Sequence, residues 1–389
     1  MKRFFIPAIL LTASFLVGIA VFEVFLRVID YSEPVWYEPD ARLGWRLRPG
    51  LAAWYTHEGR AFVRVNGEGM RDRDHVPYKP AGTYRIAVLG DSYSEARQVE
   101  REQAFWARLP EALAACGFQR GKTLEVLNFG VSGYGTAQEY LMLESTAMRY
   151  RPDLVLLQFT NGNDVRNNSF ALEPEKERPF FMLGADGELR LDESFAASPA
   201  FRSRASFRSE VGRKVLDKSR VLQLAHFMKD HSLIPKAQAG SGQEQGLEAE
   251  VLAPPRDAAW EDAWRVTEGL IAKTADFSRR NGAQFVVVTV PYAIQVHPDP
   301  KQREAMQAKL GLPNLFYPDR RIYALAKDLD FIAIPLAQEM QPIAEKKQVY
   351  FHGFDGNNAS AGLGKGHWNA AGHQAAAELI ARRLCADGA

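Results

Sequence analysis

Cysteine is almost absent from this chain, and neither sign of charge is in excess. There are 2 cysteines in 389 residues, so a scaffold built on many disulfides is excluded. The 48 Lys and Arg residues balance the 47 Asp and Glu residues, and the net charge is +1. A near-neutral chain has no overall field to attract nucleic acid, and no nucleic-acid-binding motif is present. We therefore expect no nucleic-acid partner.

Motifs for phosphate and metal binding are also lacking. The glycine-rich segment Gly130–Gly135 does not end in the Lys-Ser/Thr pair of a nucleotide-binding loop. His352 and His373 have no neighbours that suggest a metal site. We expect neither a metal nor another cofactor.

One long uncharged run stands at the amino terminus. The basic pair Lys2-Arg3 precedes Phe4–Phe22, which approaches the roughly 20 apolar residues that cross a bilayer. Two interpretations remain open, an uncleaved membrane anchor over residues 1–28 and a cleaved signal peptide. The run is longer than a signal core of about 7–15 residues and no small-x-small site closes it, which favours the anchor. Both interpretations place the rest of the chain outside the cytoplasm, in the periplasm or the extracellular space.

A leading segment follows at residues 29–80. Within it, Phe62–Val65 alternates apolar and polar positions and is followed by Asn66-Gly67, a pattern that predicts a β-hairpin. We expect this segment to join the anchor to the main domain or to pack on that domain.

From residue 84 onward, strand patterns alternate with helix patterns. The predicted strands are Tyr84–Leu89, Leu124–Asn128, Leu154–Phe159, Gln284–Val290 and Phe331–Ile334. The predicted helices are Glu102–Cys116, Ala137–Tyr150, Ala258–Arg280, Arg320–Leu329 and Ala370–Leu384. This alternation predicts an α/β fold with a mainly parallel five-stranded sheet.

The alternation lapses at residues 170–257, which we interpret as an insertion in a domain that spans 81–389. The insertion could be a lid, a substrate platform or a surface elaboration, and the last is the commonest outcome. Its basic run, Arg202–Arg220, could lie on an anionic membrane surface or meet an acidic glycan, although such runs are more often solvated helix faces.

A candidate nucleophile stands where the first strand ends, in Gly90-Asp91-Ser92. The carboxyl edge of a parallel sheet is where α/β proteins place their chemistry. A serine hydroxyl needs a base and donors for the oxyanion that forms on attack. The competing interpretation is that Asp91 or Ser92 only caps the following helix.

Three further segments could supply what such a serine needs. Gly133 lies in the glycine-rich loop after the second strand, and Asn163 lies in Thr160–Asp164 after the third. His367 stands on the loop before the last helix, which Asn369 caps. Each segment also has an ordinary interpretation: a tight turn, an Asx-turn and a surface histidine.

Gly90-Asp91-Ser92, Gly133, Gly162-Asn163-Asp164 and His367 resemble, in order and setting, the four blocks of SGNH (GDSL-type) hydrolases. The resemblance implies a flavodoxin-like three-layer α/β/α sandwich that needs no metal. It implies Ser92 as nucleophile and His367 as general base. The N–H groups of Ser92 and Gly133 and the side chain of Asn163 would form the oxyanion hole.

One position departs from the family pattern. The acidic residue expected three positions before the histidine is replaced by Gly364. Either Asp355, the nearest upstream acid, or a backbone carbonyl could then orient the imidazole. Loss of such a carboxylate costs about 10⁴ in rate in a serine protease.

His367-Trp368-Asn369 also resembles the histidine block of SGNH-type proteins that move acetyl groups onto bacterial exopolysaccharides. We therefore predict a serine-dependent esterase for acyl or acetyl esters, or an O-acyltransferase. Its substrate would be an acylated small molecule or an envelope glycan. The alternative is a non-catalytic glycan-binding or scaffolding module that keeps the fold.

The two cysteines are Cys116, at the end of the first predicted helix, and Cys385, in the last. In an exported protein they could pair, because the first and last helices of a doubly wound sheet often share a face. Two buried thiols are an equally good interpretation.

Overall fold

The computed structural model describes residues 2–232, 249–355 and 362–387. Its strands are β1 (Tyr37–Asp40), β2 (Gly44–Leu47), β3 (Ala52–Tyr55), β4 (Ala61–Arg64), β5 (Thr83–Leu89), β6 (Thr123–Asn128), β7 (Leu154–Thr160), β8 (Phe180–Leu183), β9 (Leu189–Asp192), β10 (Gln284–Val290) and β11 (Ile332–Pro335).

The α-helices are α1 (Lys2–Val28), α2 (Ser92–Glu95), α3 (Phe105–Ala115), α4 (Thr136–Ser145), α5 (Asp164–Asn167), α6 (Pro199–Arg204), α7 (Phe207–Leu216), α8 (Arg220–Ser232), α9 (Ala258–Arg280), α10 (Pro300–Leu310), α11 (Tyr317–Asp328), α12 (Leu336–Lys347) and α13 (Ala370–Asp387). Short 3₁₀ turns cover Arg101–Gln103, Ala147–Tyr150, Ser194–Ala197, Ala249–Leu252 and Ala293–Val296.

The central sheet has five parallel strands in the order β11-β10-β7-β5-β6. Counted along the chain from the other edge, this is the 2-1-3-4-5 order of flavodoxin-like folds. The predicted α/β fold with a parallel five-stranded sheet is therefore confirmed. The order reverses between β5 and β7, and such switch points are where open α/β sheets bind ligands.

Each face of the sheet is covered by its own hydrophobic core. Ile86 and Val88 of β5 point into a core that includes residues of α3, α12 and α13. Ala87 and Leu89 point into the opposite core, with residues of α4, α9 and α11. Because successive strand residues face opposite sides, the continuous apolar runs of β5 and β7 serve both cores. The result is the three-layer sandwich that the sequence implied.

Helix boundaries follow local capping. α9 covers the predicted range because the side chain of Asp257 accepts from the N–H of Trp260 at 3.0 Å and Gly282 follows with φ +76°. The predicted helix at 102–116 begins later, at Phe105, because a 3₁₀ turn precedes it and Ala104 is extended. The helix predicted to reach Tyr150 breaks at Thr146, whose φ of −129° and ψ of −57° are not helical.

The leading segment contains two hairpins, and the predicted one has a different turn. β4 pairs with β3, which precedes it, through a turn at residues 56–60. Asn66-Gly67 does form a turn, closed by a 3.2 Å bond from Gly69 N–H to Asn66 C=O, but the next strand, β5, does not pair with β4. The sequence rule placed the turn wrongly because residues 56–60 have no Asn-Gly signal.

The insertion contains a hairpin (β8–β9) and three helices (α6–α8), and residues 233–248 lie outside the described part. The hairpin packs on α9 and contributes the buried side chain of Phe181 to the main core. At least this part of the insertion is integral to the domain.

The structure joins Cys116 and Cys385 in a disulfide with a Cα–Cα distance of 6.4 Å. Cys116 caps α3 and Cys385 lies in α13, and these helices pack on the same face of the sheet. The bridge therefore closes most of the domain into one covalent loop.

We predict that Cys116→Ser/Cys385→Ser lowers the free energy of unfolding by about 2–4 kcal/mol, because a cross-link between distant residues restricts the unfolded chain. Denaturant unfolding of the two proteins checks this. Native-state mass spectrometry after thiol alkylation provides the control, and two alkylated cysteines in the untreated protein would contradict the bridge.

Candidate active site

Ser92 lies at the switch point of the sheet, immediately after β5. Asp91 is the N-cap of α2, and its carboxylate accepts from the N–H of Tyr93 at 3.0 Å. Asp91 therefore provides the cap, and the hydroxyl of Ser92 is available for other partners. Gly90 permits this close turn, because a Cβ there would collide with the side chains of Gln158 and Ser94.

His367 lies beside this hydroxyl. Its Nε2 is 2.8 Å from Ser92 Oγ, across 275 residues of chain. The next two residues hold the loop in place. Trp368 is buried against the rings of Tyr93 and Phe105, and the side chain of Asn369 accepts from Ala371 N–H at 3.0 Å. The predicted cap of the last helix is thus present, and it fixes the position of the imidazole.

The carboxylate that contacts His367 is Glu58, which the sequence analysis missed. Glu58 Oε2 lies 2.8 Å from His367 Nδ1 and accepts from the His367 backbone N–H at 3.2 Å. Glu58 belongs to the β3–β4 turn of the leading segment. Both side chains are only 15% exposed.

Within the described residues, the group at His367 Nδ1 is Glu58 and neither Asp355 nor a backbone carbonyl. Asp355 is exposed, and within the described ranges no hydrogen bond or ion pair joins it to His367. Gly364 has φ +82°, and a Cβ there would lie 3.0 Å from His297. A residue other than glycine would be strained at this φ, so the position of the usual acid is occupied by a turn that favours glycine.

The electrostatics favour an ionised Glu58. Burial raises the pKa of its carboxyl, but the hydrogen bonds and charge of His367 outweigh this, and the pKa lies below its usual value. An ionised carboxylate at Nδ1 holds the proton on that nitrogen, which leaves Nε2 free to accept the proton of a hydroxyl. Because of this lowered pKa, the hydrogen-bonded pair of Glu58 and His367 is intact at neutral pH. The pair is lost only when the pH falls below the lowered pKa of Glu58.

A second cluster supports the Glu58 turn. The guanidinium of Arg97 lies over the rings of Trp36, Tyr37 and Tyr55, with distances of 5.0–5.4 Å to the ring centroids. It also pairs with Glu95 at 2.8 Å. Cation–π contacts and an ion pair thus fasten the leading segment to the loop after α2.

Gly133 lies in a loop that is tied to the serine turn. Val131 N–H donates to Gly90 C=O at 3.1 Å, and the indole N–H of Trp45 donates to Ser132 C=O at 3.0 Å. Gly133 itself has φ +78°. Within the described residues its N–H has no protein acceptor, so it remains available to a bound group.

Asn163 lies on the opposite side of the serine turn. Its side-chain N–H donates to Asp91 Oδ2 at 3.2 Å, and the second N–H of the same amide is available to a ligand. Asp91 is fully buried, and burial raises the pKa of its carboxyl. Asp91 therefore both caps α2 and orients Asn163.

The four predicted site residues are partly exposed, and groups that contact a substrate must be accessible in this way. They are Ser92, Gly133, Asn163 and His367. Contacts among the turn and its loops connect all four. A serine, an imidazole and a carboxylate bonded in series, with N–H donors nearby, can activate the hydroxyl and stabilise an oxyanion.

Among the described residues, the buried histidines His352 and His373 do not belong to a metal-binding group. Burial lowers the pKa of His352 to about 3, and it lowers the pKa of His373 well below its usual value. Both side chains therefore stay neutral. In the part of the chain that the structure describes, no group of three His, Cys, Asp or Glu side chains is arranged to hold a metal ion.

No protein-family model and no curated protein matches the chain. Among solved structures it is similar to an acetylxylan esterase from Geobacillus stearothermophilus, with 11% identity over 79% of this chain and 96% of that chain, and a TM-score of 0.40. It is similar to TesA, with 14% identity over 77% and 98% of the two chains and a TM-score of 0.36. It is also similar to a GDSL-like lipase from Bacteroides thetaiotaomicron, with 13% identity over 78% of this chain and 89% of that chain, and a TM-score of 0.34.

The chain resembles SGNH (GDSL-type) hydrolases, and that resemblance rests on the strand order and on the four motifs.

We predict that Glu58→Gln lowers kcat for an activated acyl ester by up to about 10⁴-fold, the loss seen when the matching carboxylate of a serine protease becomes an amide. The variant also removes the negative charge that favours protonated imidazole. The acid limb of the pH profile of kcat/KM should therefore move to lower pH.

Asp355→Asn is the matched control, because Asp355 is exposed and does not contact His367. It should leave both kcat and the pH profile unchanged. Full activity in Glu58→Gln, or a large loss in Asp355→Asn, would refute this assignment.

Proposed function

We propose that this protein is a serine-dependent ester hydrolase. Ser92 Oγ attacks the acyl carbonyl, and His367 Nε2 takes the hydroxyl proton. The negative charge that develops on the carbonyl oxygen accepts hydrogen bonds from the N–H groups of Ser92 and Gly133 and from the amide of Asn163. Glu58 stabilises the imidazolium that forms.

The second half of the reaction reverses these proton movements. The bond between the acyl carbon and the leaving oxygen breaks, and His367 gives its proton to the departing alcohol. The acyl group is then bound to Ser92. Water or a second alcohol attacks this ester, His367 takes its proton, and Ser92 regains its own.

The observation that carries the proposal is the series of 2.8 Å contacts from Glu58 to His367 and from His367 to Ser92. A surface histidine or a helix-capping serine has no need of this arrangement. An imidazole with no carboxylate partner, as Gly364 suggests, would favour the non-catalytic module. Glu58 supplies a carboxylate at the imidazole, so this reason for the alternative is removed.

We further propose that the domain is held outside the cytoplasm by α1. Its segment Ile9–Val28 is 20 residues long, apolar and almost entirely exposed, and a helix of this length can cross a bilayer. The basic pair at its start favours a cytoplasmic amino terminus. The chain then divides into the anchor (residues 1–28), the leading segment (29–80) and the main domain (81–389). Glu58 is the contribution of the leading segment to the site.

The finer proposal is that the acyl group passes to an alcohol of an envelope glycan. Its support is the similarity of His367-Trp368-Asn369 to the histidine block of proteins that acetylate exopolysaccharides, together with the proposed location of the domain outside the cytoplasm. An acetyl ester of a glycan or of a small alcohol is then the donor.

We predict that Ser92→Ala abolishes turnover of an activated acyl ester and abolishes labelling by a fluorophosphonate probe, because both require the Ser92 oxygen. Intact-mass and peptide spectra of the labelled protein check the site. His367→Ala should retain Ser92 but label far more slowly, since the proton acceptor is lost. Stoichiometric labelling of another serine, or full turnover by Ser92→Ala, would overturn the proposal.

A second prediction concerns the acceptor. In the presence of an acetyl ester donor and a glycan oligomer, the wild-type protein should form acetylated oligomer as well as free acetate, in proportion to oligomer concentration. Mass spectrometry of the oligomer measures this, and Ser92→Ala is the control. Acetate alone at every oligomer concentration would restrict the function to hydrolysis.

A further inference from the structure

Helix α7 presents its apolar side chains to solvent. Phe207, Val211 and Val215 are spaced four residues apart and form one stripe along the helix. Their exposed fractions are 79%, 42% and 51%. No residue of α7 is buried. We call these three residues the α7 stripe.

The side of α7 opposite the stripe is the one turned toward the protein. Ser209 and Leu216 are only partly exposed, and Arg213 donates to the Arg204 carbonyl at 3.1 Å. The apolar side thus faces out and the more polar side faces in, the reverse of a helix packed on a globular core. α7 packs on α6 and α8, and an apolar stripe left exposed along such a helix marks an interaction surface.

Basic side chains flank the stripe. At about 100° per residue, Arg208 and Lys214 fall on either side of the stripe, roughly 60° from its centre. Lys214 pairs with Glu210 at 2.6 Å, whereas Arg208 has no ion pair or hydrogen bond within the described ranges. An apolar stripe between cationic side chains is typical of helices that lie in the interface of an anionic bilayer.

The start of α8 and the turn before it are fixed to the end of the apolar helix α1. The carboxylate of Glu23 accepts from the N–H groups of Arg220 and Val221, each at 3.0 Å. Arg27 donates to the carbonyl of Lys218 at 2.8 Å. These contacts fix the height of the start of α8, and with it the carboxyl end of α7, along α1.

That height agrees with the boundary of a bilayer. The apolar span ends at Val28, and Glu23 precedes it by five residues, or roughly 7.5 Å at about 1.5 Å per residue. Interfacial helices lie about 5–10 Å deep in the headgroup and acyl boundary. The end of α7 is therefore at the depth where its stripe would meet lipid.

We propose that α7 is an interfacial helix whose stripe lies in the outer-facing, anionic leaflet of the bilayer that α1 crosses. This inference rests on the proposed anchoring by α1 and goes beyond the proposed catalytic function. The bound surface is phospholipid, and Arg208 and Lys214 meet its phosphate groups.

The contact would also set the position of the active site relative to the membrane. Phe227 of α8 stacks on the ring of His57, with 5.7 Å between the ring centroids. His57 directly precedes Glu58, the residue that contacts His367. The insertion therefore connects the lipid-facing helix to the carboxylate side of the site.

The experiment uses the full chain in vesicles, with a nitroxide label on a single added cysteine. Val211→Cys reports the stripe, and Glu210→Cys, about 100° away on the same exposed helix, is the matched control. In vesicles of phosphatidylcholine with phosphatidylglycerol, the label at 211 should be several-fold more accessible to oxygen than to a water-soluble nickel complex. The label at 210 should show the opposite preference.

Adding Arg208→Gln to Val211→Cys, or using phosphatidylcholine alone, should reduce the oxygen preference at 211. Both labelled proteins should hydrolyse a soluble ester normally, because α7 is outside the site. A label at 211 that stays as accessible to nickel as the label at 210 would overturn the proposal. Dipolar broadening between labels at 211 would overturn it too, because a second copy would then cover the stripe.

Flotation of the vesicles distinguishes failure of the proposed anchoring by α1 from failure of the proposal for α7. If the chain does not float with lipid, the anchoring by α1 is wrong. If the chain floats but the label at 211 stays in water, only the proposal for α7 fails.

Discussion

The hydrogen bond between Glu58 and His367 joins residues 309 positions apart, and the arrangement of the site depends on it. Glu58 reaches the histidine only if the leading segment is fixed to the sheet domain. That fixation uses Arg97, which lies among three aromatic rings of the segment and pairs with Glu95. The carboxylate at the imidazole is thus a product of packing between two parts of the chain.

Single side chains around the serine each serve two purposes. Asp91 caps α2 and also accepts from Asn163, so the same buried carboxylate positions the Ser92 turn and the Asn163 amide. Glu95 pairs with Arg97 and also accepts from the N–H of Ser132. The glycine loop and the leading segment are therefore fixed through a common group. Such shared groups make the geometry of the site depend on the whole edge of the sheet.

The amino-terminal helix, the insertion and the candidate site form one connected series of contacts. Glu23 of α1 caps α8, Phe227 of α8 stacks on His57, and His57 adjoins Glu58. An insertion that the sequence suggested was surface elaboration therefore lies between the apolar helix and the carboxylate. The sequence left open what its basic residues contact. Beside the exposed α7 stripe, Arg208 and Lys214 are placed to meet lipid phosphate groups.

Much of the fold was determined by local sequence, because strand patterns and helix caps depend on neighbours along the chain. Runs of strand-forming residues predicted all five strands of the sheet, and the helix pattern that ends at Asn281-Gly282 predicted α9. The four motifs predicted a site at one edge, since parallel strands end together there. Glu58 could not be found this way, because its turn has no distinctive composition and its partner is remote in sequence. Only tertiary packing decided that the turn would lie over His367, that Cys116 would meet Cys385, and that α7 would turn its apolar side outward.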